Sequence, residues 1–210
     1  MLHKNPAVIA PTTFTLIQQL QSLEPLKSFY LVGGTALALQ LGHRTSIDID
    51  LFTQESFNAE ELRSALSDFK FSTTLFRNNT VLAIVNNIKT DFIRHNYPLL
   101  KPPVEEEGIR MLSMDDIAAM KVHAIVQSGK RMKDFIDVYF LLQHLSMHSF
   151  IELFTQKYNY ISPMVALKAL NYFGDIDENI DPPRLVKPLP LPKIKKRLSE
   201  ATLKPNKIFS

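Results

Sequence analysis

The chain is 210 residues long, 45% hydrophobic and 21% charged, which is enough apolar material for a packed core and excludes a disordered chain. Cysteine is absent, which excludes a disulfide framework, a thiolate metal site and a cysteine nucleophile. The formal charge of +3 and the pI near 9.0 are unevenly spread: residues 181–210 hold eight cations against Asp181 and Glu200, a sum of +6, so residues 1–180 carry −3.

The start, Met1-Leu2-His3-Lys4, has no apolar stretch behind it, and the longest apolar run, 29–41, is interrupted by Gly33, Gly34, Thr35 and Gln40. Neither a signal peptide nor a membrane span is expected, and a soluble, cytoplasmic protein is. Thr12 or Thr13 is expected to cap a first helix reaching residue 23, with Phe14, Ile17 and Leu20 on its apolar face. Phe29-Tyr30-Leu31-Val32 reads as a short buried strand, ended by Gly33-Gly34 and followed by a helix over 35–41. Residues 47–52 alternate apolar and acidic types, the pattern of a strand with Asp48 and Asp50 on one face. After a helix over 58–68, three apolar segments, 69–76, 81–85 and 88–93, are separated by Asn78-Asn79 and Asn86-Asn87 and predict an antiparallel meander. Glu105 to Glu107 reads as a solvated loop.

From Met114 the apolar period becomes helical, over 114–127, 133–145, 150–157 and 163–173. Pro182, Pro183, Pro188, Pro190 and Pro192 exclude a helix interior and predict an extended crossing, with one short basic helix over 193–203 behind it. The order of elements predicts an α+β protein: a mixed sheet with flanking helices over 1–112, a helical region over 113–180, and a Pro-rich basic extension over 181–210.

Gly33-Gly34-Thr35 lies between a strand and a helix, where bare backbone N–H groups can approach a phosphate, although such a pair alone is more often a tight turn. Asp48 and Asp50 stand about 6–7 Å apart along one strand face. Unpaired, they repel by roughly 3 kcal/mol at an effective dielectric of 20, which asks for a cation, and hard oxygen ligands select Mg²⁺ or Mn²⁺. The competing reading is a solvated strand face. Asp91 weighs against it, because this third carboxylate interrupts an apolar strand and completes the acid set of a two-metal phosphoryl-transfer site.

Other polar and aromatic residues are weaker signals. His144 and His148 stand four apart without a third ligand, so a structural or surface role outweighs zinc. His43 and His95 flank the acidic strands and carry no assigned role. Tyr158, Tyr160, Tyr172 and Phe173 read as core of the helical half, with base stacking as the alternative.

Tyr30-Leu31-Val32-Gly33-Gly34-Thr35-Ala36-Leu37, followed by Gly42-His43-Arg44-Thr45-Ser46-Ile47-Asp48-Ile49-Asp50-Leu51-Phe52, resembles the signature of the nucleotidyltransferase superfamily that includes DNA polymerase beta. More specifically, it is similar to the AbiEii/AbiGii toxin-type nucleotidyltransferases. The likeness continues through Lys121 and Arg131-Met132-Lys133-Asp134-Phe135-Ile136-Asp137 to Tyr172-Phe173-Gly174-Asp175, and covers roughly residues 25–180. Thr35 stands where many relatives of the wider superfamily have serine, which keeps the hydroxyl.

The resemblance implies a polymerase beta-like core whose helical region completes the nucleotide site. It implies that Asp48 and Asp50 hold Mg²⁺ (or Mn²⁺), and that Asp91 completes the catalytic metal and helps deprotonate the attacking hydroxyl. Gly33, Gly34 and Thr35 would hold the β- and γ-phosphates, with Arg44 and Lys121 neutralising the triphosphate and Lys133 beside them. Asp134 is a catalytic candidate that competes with a simple helix-capping role, and Asp137 reads as a helix ion pair. The implied reaction moves an NMP from an NTP to a hydroxyl, first of all at an RNA (tRNA) end, with a protein or small-molecule hydroxyl as the other acceptors. The implied setting is a toxin–antitoxin or phage-defence module with a cognate antitoxin. A nucleotide-binding regulatory module without turnover is the competing class, and the retention of Asp48, Asp50, Asp91 and Lys121 argues against it. The basic extension is expected to act as a separable electrostatic element for RNA or an acidic partner.

Overall fold

The computed structural model describes residues 1–185 and 187–210; position 186, inside the expected extended crossing, lies outside them. The chain divides into two compact units, Met1–Pro98 with Pro102–Leu112, and Leu99–Lys101 with Ser113–Ser210.

In the first unit, α1 (Pro11–Ser22) begins earlier than a threonine cap would allow. Pro11 in its first turn already has a helical φ and no N–H to satisfy, so Ala10 stands at the cap position without a side-chain cap. Thr13 is instead buried beside Leu16, Ile17 and Leu20. The strand β1 (Tyr30–Leu31) is followed directly by α2 (Gly33–Leu41), which ends on Gly42 in the left-handed region. β2 (Ile49–Thr53) buries Ile49, Leu51 and Thr53 and leaves Asp50 and Phe52 on its other face. Ile47, expected in that buried stripe, is 47% exposed, because pairing starts only at Ile49.

Asn58 caps α3 (Ala59–Ala65), its side chain accepting from the Glu60 and Glu61 N–H groups. β3 (Phe71–Arg77), β4 (Thr80–Val85) and β5 (Ile88–Arg94) then form the expected antiparallel meander. Its turns use the asparagines: Asn79, Asn86 and Asn87 all take positive φ, which tight hairpin turns require and asparagine tolerates. The acidic run 105–107 is not a free loop. It belongs to the hairpin of β6 (Val104–Glu106) and β7 (Ile109–Met111), where Glu105 pairs with Arg110 and the left-handed Glu107-Gly108 close the turn.

The seven strands form one mixed sheet in the order β3-β4-β5-β2-β1-β7-β6. β2 runs parallel to β5 and β1 parallel to β7, so the two acidic strands become neighbours although residues 54–87 of the chain lie between them. Phe29 anchors the covered side, edge-on to Phe57 at 5.1 Å and to Phe92 at 6.2 Å between ring centroids.

The second unit is helical: α4 (Met114–Gln127), α5 (Met132–Leu141), α6 (Met147–Lys157), α7 (Pro163–Leu170) and α8 (Leu191–Leu203). Ser113, Ser146 and Ser162 cap α4, α6 and α7 through their hydroxyls, in the manner expected of serine at these ends. Phe135, Phe150, Phe154, Tyr158 and Leu170 are fully buried. So is an ion pair that sequence periodicity does not reveal, Lys157 Nζ to Asp116 Oδ1 at 2.7 Å. Asp116 also accepts from the Leu100 N–H at 3.0 Å and the Ser113 hydroxyl at 2.7 Å, which ties the 99–101 segment to the start of α4. The helix of the basic extension is packed within this unit: Ile194, Leu198 and Ala201 are buried, and α8 lies on α5. The Arg197 guanidinium sits 3.8 Å from the Tyr139 ring centroid. Lys193, Lys195 and Lys196 face outward. Among the described residues no helix is long and apolar enough to cross a membrane.

Candidate active site

The parallel register of β2 and β5 sets Asp50 directly beside Asp91. Neighbouring strands run about 4.8 Å apart, and side chains alternate between faces, so the two carboxylates share the sheet face opposite the buried Ile49, Leu51, Thr90 and Phe92. Asp91 is 8% exposed; its Oδ2 lies 3.3 Å from the Lys89 ammonium, while its Oδ1 is buried with no hydrogen-bond partner. Leaving a buried acceptor unpaired costs about 1–3 kcal/mol, and more for a charged one. Asp91 Oδ1 is therefore a preformed acceptor for a cation or a proton.

The glycine pair fits closely around this site. Gly33 opens α2 with φ +66°, a conformation that L side chains rarely adopt, and a Cβ there would collide with Asp50 Oδ2. A Cβ on Gly34 would collide with the Arg44 guanidinium. The two absent side chains thus admit one carboxylate and one cation to the same helix start. Arg44 is almost fully buried and donates from Nη1 to the Thr45 carbonyl at 3.1 Å. Thr35 is buried too: its hydroxyl donates to the Asp48 carbonyl and shares a 2.8 Å hydrogen bond with the Ser46 hydroxyl. That bond fixes the loop leading into β2, so Thr35 holds Asp48 in place through the backbone. Asp48 itself is half-buried, one residue before the strand.

The N-terminal segment braces the same loop. Ala7 and Val8 offer carbonyls to the Thr45 hydroxyl at 2.6 Å and the Ser46 N–H at 2.9 Å, and the His3 N–H donates to the Leu39 carbonyl at 2.8 Å. Lys89 was not singled out from sequence. Burial of its stem works against the charged form, yet the neighbouring Asp91, Asp48 and Asp50 together hold its ammonium above the usual lysine range. The sequence signal was its position two residues before Asp91 on a strand, legible only once the partner strand is known.

The remaining candidates lie in the second unit. Lys121 of α4 is buried and bridges two carboxylates of α5, Asp134 Oδ1 at 2.9 Å and Asp137 Oδ2 at 2.7 Å. Arg131, just before α5, adds a second cation to Asp134, its Nη2 3.0 Å from Oδ2. Asp134 thus uses its side chain on two cations, and the α5 cap position has no side-chain cap at all. Asp137 is fully buried and pairs with Lys121 of another helix, α4. Lys133 pairs with Asp181.

Several weaker sequence signals also find their places. His144 and His148 fall on opposite sides of the α6 start and share no helical face; His148 pairs with Glu152 at 3.3 Å. Tyr158 is core, stacked on His123 at 4.1 Å between ring centroids, whereas Tyr160 and Tyr172 are exposed against the expectation of core. His95 lies between Phe52 and Tyr97, 5.5 and 4.6 Å from their ring centroids.

Among the described residues, no group of three or more His, Asp or Glu side chains gathers tightly enough to hold a metal ion. Asp50 and Asp91 nevertheless fit a hard divalent cation, as adjacent oxygen donors with one buried Oδ1 unmatched. Mg²⁺ typically takes one or two carboxylates and completes its shell with water and substrate phosphates.

Comparison with known proteins places this geometry in context. A protein of Aquifex aeolicus (strain VF5) described as uncharacterized is 33% identical over 171 residues, covering 78% of this chain and 82% of that one. Among solved structures, MenT4, a nucleotidyltransferase toxin from Mycobacterium tuberculosis H37Rv, aligns with a TM-score of 0.57 at 14% identity, covering 89% of this chain and 82% of that one. JHP933 from Helicobacter pylori aligns with a TM-score of 0.56 at 18% identity, covering 93% and 89%. The mixed sheet with flanking helices is that of a nucleotidyltransferase, and that is the enzyme class of this protein. Residues 16–201 match the family described as the nucleotidyl transferase AbiEii toxin of type IV toxin–antitoxin systems, and the chain belongs to it.

Proposed function

We propose that the protein transfers a nucleoside monophosphate from an NTP to a hydroxyl at an RNA end, with tRNA as the first candidate, and acts as the toxin of a toxin–antitoxin pair. The observation that carries the proposal is the Asp50–Asp91 pair beside a glycine-led helix start, with a buried Asp91 Oδ1 that has no internal partner. The acceptor oxygen forms a bond to the α-phosphorus, the bond from that phosphorus to the β-bridging oxygen breaks, and pyrophosphate leaves. Asp91 Oδ1 is the proposed acceptor of the hydroxyl proton.

Asp48, Asp50 and Asp91 are the residues that would hold Mg²⁺ or Mn²⁺, which when bound supplies charge neutralisation to the triphosphate and lowers the acceptor's pKa. Gly33, Gly34 and Thr35 form the proposed phosphate-facing helix start, and Arg44, poised on Gly34, is the proposed phosphate cation. Lys121, Lys133 and Asp134 keep proposed roles in nucleotide binding and catalysis. The outward Lys193, Lys195 and Lys196 supply the positive face that a polyanionic acceptor takes. The family description, with its toxin–antitoxin setting, supports the proposal of a neutralising antitoxin partner.

The test incubates the purified protein with Mg²⁺, each labelled NTP in turn, and either total RNA or cell protein, beside an Asp48→Ala/Asp50→Ala variant. Label entering RNA with the wild type alone supports the proposal. Label entering protein only moves the acceptor, and equal labelling by the variant overturns the transferase site.

A further inference from the structure

Lys89 stands where the acidic strands meet. The β2–β5 register pairs Ile49 with Thr90 and Asp50 with Asp91, and Asp48 immediately precedes β2. Alternation puts Asp50, Lys89 and Asp91 on a single sheet face. The ammonium is 3.3 Å from Asp91 Oδ2, and it experiences the charges of Asp48 and Asp50 as well. Lysine is a compact point charge on a flexible four-carbon stem, and this side chain is 57% exposed, so it can leave the carboxylates without disturbing the core. It engages Asp91 through Oδ2 and leaves the buried Oδ1 unmatched.

We propose that Lys89 is a tethered counter-ion of the metal site: it offsets the charge of the Asp50–Asp91 pair in the metal-free protein and competes with the divalent cation for it. Two consequences follow from the charges. Asp50 and Asp91 stay side by side without metal, because an ammonium lies beside them. Affinity for the free divalent ion is also held down, because entry of the ion displaces or repels an ammonium. The inference rests on the metal-site reading given under the proposed function, and it adds a residue that acts on that site by charge, without touching the reacting atoms.

The probe is Mn²⁺ alone, without nucleotide, followed through the electron paramagnetic resonance of the free ion at fixed pH. Lys89→Met is expected to bind Mn²⁺ about tenfold more tightly than wild type, and Lys89→Arg, which keeps the charge, to stay within about twofold of it. In the Lys89→Met background, Asp50→Asn should abolish the gain, locating the ion. Melting curves of all variants check folding, and Mn²⁺ should raise the melting temperature of Lys89→Met more than that of wild type. If wild type and Lys89→Met bind Mn²⁺ equally and Asp50→Asn removes binding from both, the counter-ion role is overturned while the metal site stands. If none of the proteins binds Mn²⁺, the metal-site reading fails and takes this inference with it.

Discussion

The carboxylate of Asp50 rests against the bare Cα of Gly33, in space that a single methyl group would take. Gly33 also holds φ at +66°, so its requirement for glycine is double. Gly33→Ala is expected to cost about 1–3 kcal/mol from backbone strain alone and to push Asp50 off the sheet face it shares with Asp91. Thermal melting and nucleotidyl transfer should therefore fall together. A variant with wild-type melting and wild-type turnover would remove Gly33 from the site.

The buried Lys121 sits between Asp134 and Asp137 and links α4 to two carboxylates of α5. Removing one partner of a buried pair leaves an uncompensated charge, so Lys121→Met should lower stability by about 3–5 kcal/mol in denaturant unfolding. Adding Asp137→Asn to Lys121→Met should recover part of that loss, since the fully buried charge that Lys121 offsets is then gone. Strict additivity of the two changes would show that the pair does not interact.

His123 is stacked on Tyr158, and burial holds its pKa below the ordinary histidine value of 6.5. The folded state thus binds fewer protons at this site than the unfolded state. Its contribution to stability is present above the unfolded pKa and is lost as pH falls from about 6.5 through the lower folded value. Wild type should lose melting temperature between pH 7.5 and 5.5 more steeply than His123→Gln. Parallel pH profiles would assign the acid sensitivity elsewhere.

In α8, packing and charge reside on different faces and can be separated. Leu198 is fully buried, so Leu198→Ala should cost about 2–5 kcal/mol without altering the salt dependence of acceptor binding. Reversing the outward Lys193, Lys195 and Lys196 to Glu should leave melting nearly unchanged and flatten the slope of binding against salt. An unaltered slope in the triple variant would leave α8 a structural role only.

How far the residues alone specified this protein depends on the range of the interactions involved. Local chemistry was legible: the asparagine turns, the serine caps, the period-two acidic strand and the glycine-led helix start each depend on residues a few positions apart. That chemistry predicted the antiparallel meander and singled out Asp48, Asp50 and Asp91 as candidates. Tertiary structure decided what lies between distant segments. The parallel β2–β5 register brings Asp91, with Lys89 beside it, to Asp50, and no periodicity along one strand encodes the identity of its neighbour. The same holds for Asp137, whose helical placement suggested a local ion pair and which pairs with Lys121 of α4, and for Lys157, whose charge is buried on Asp116. Burial reverses the ordinary meaning of a charged side chain, turning solvent-facing residues into internal pairs. It is set by the packing of the whole unit and not by the residue type.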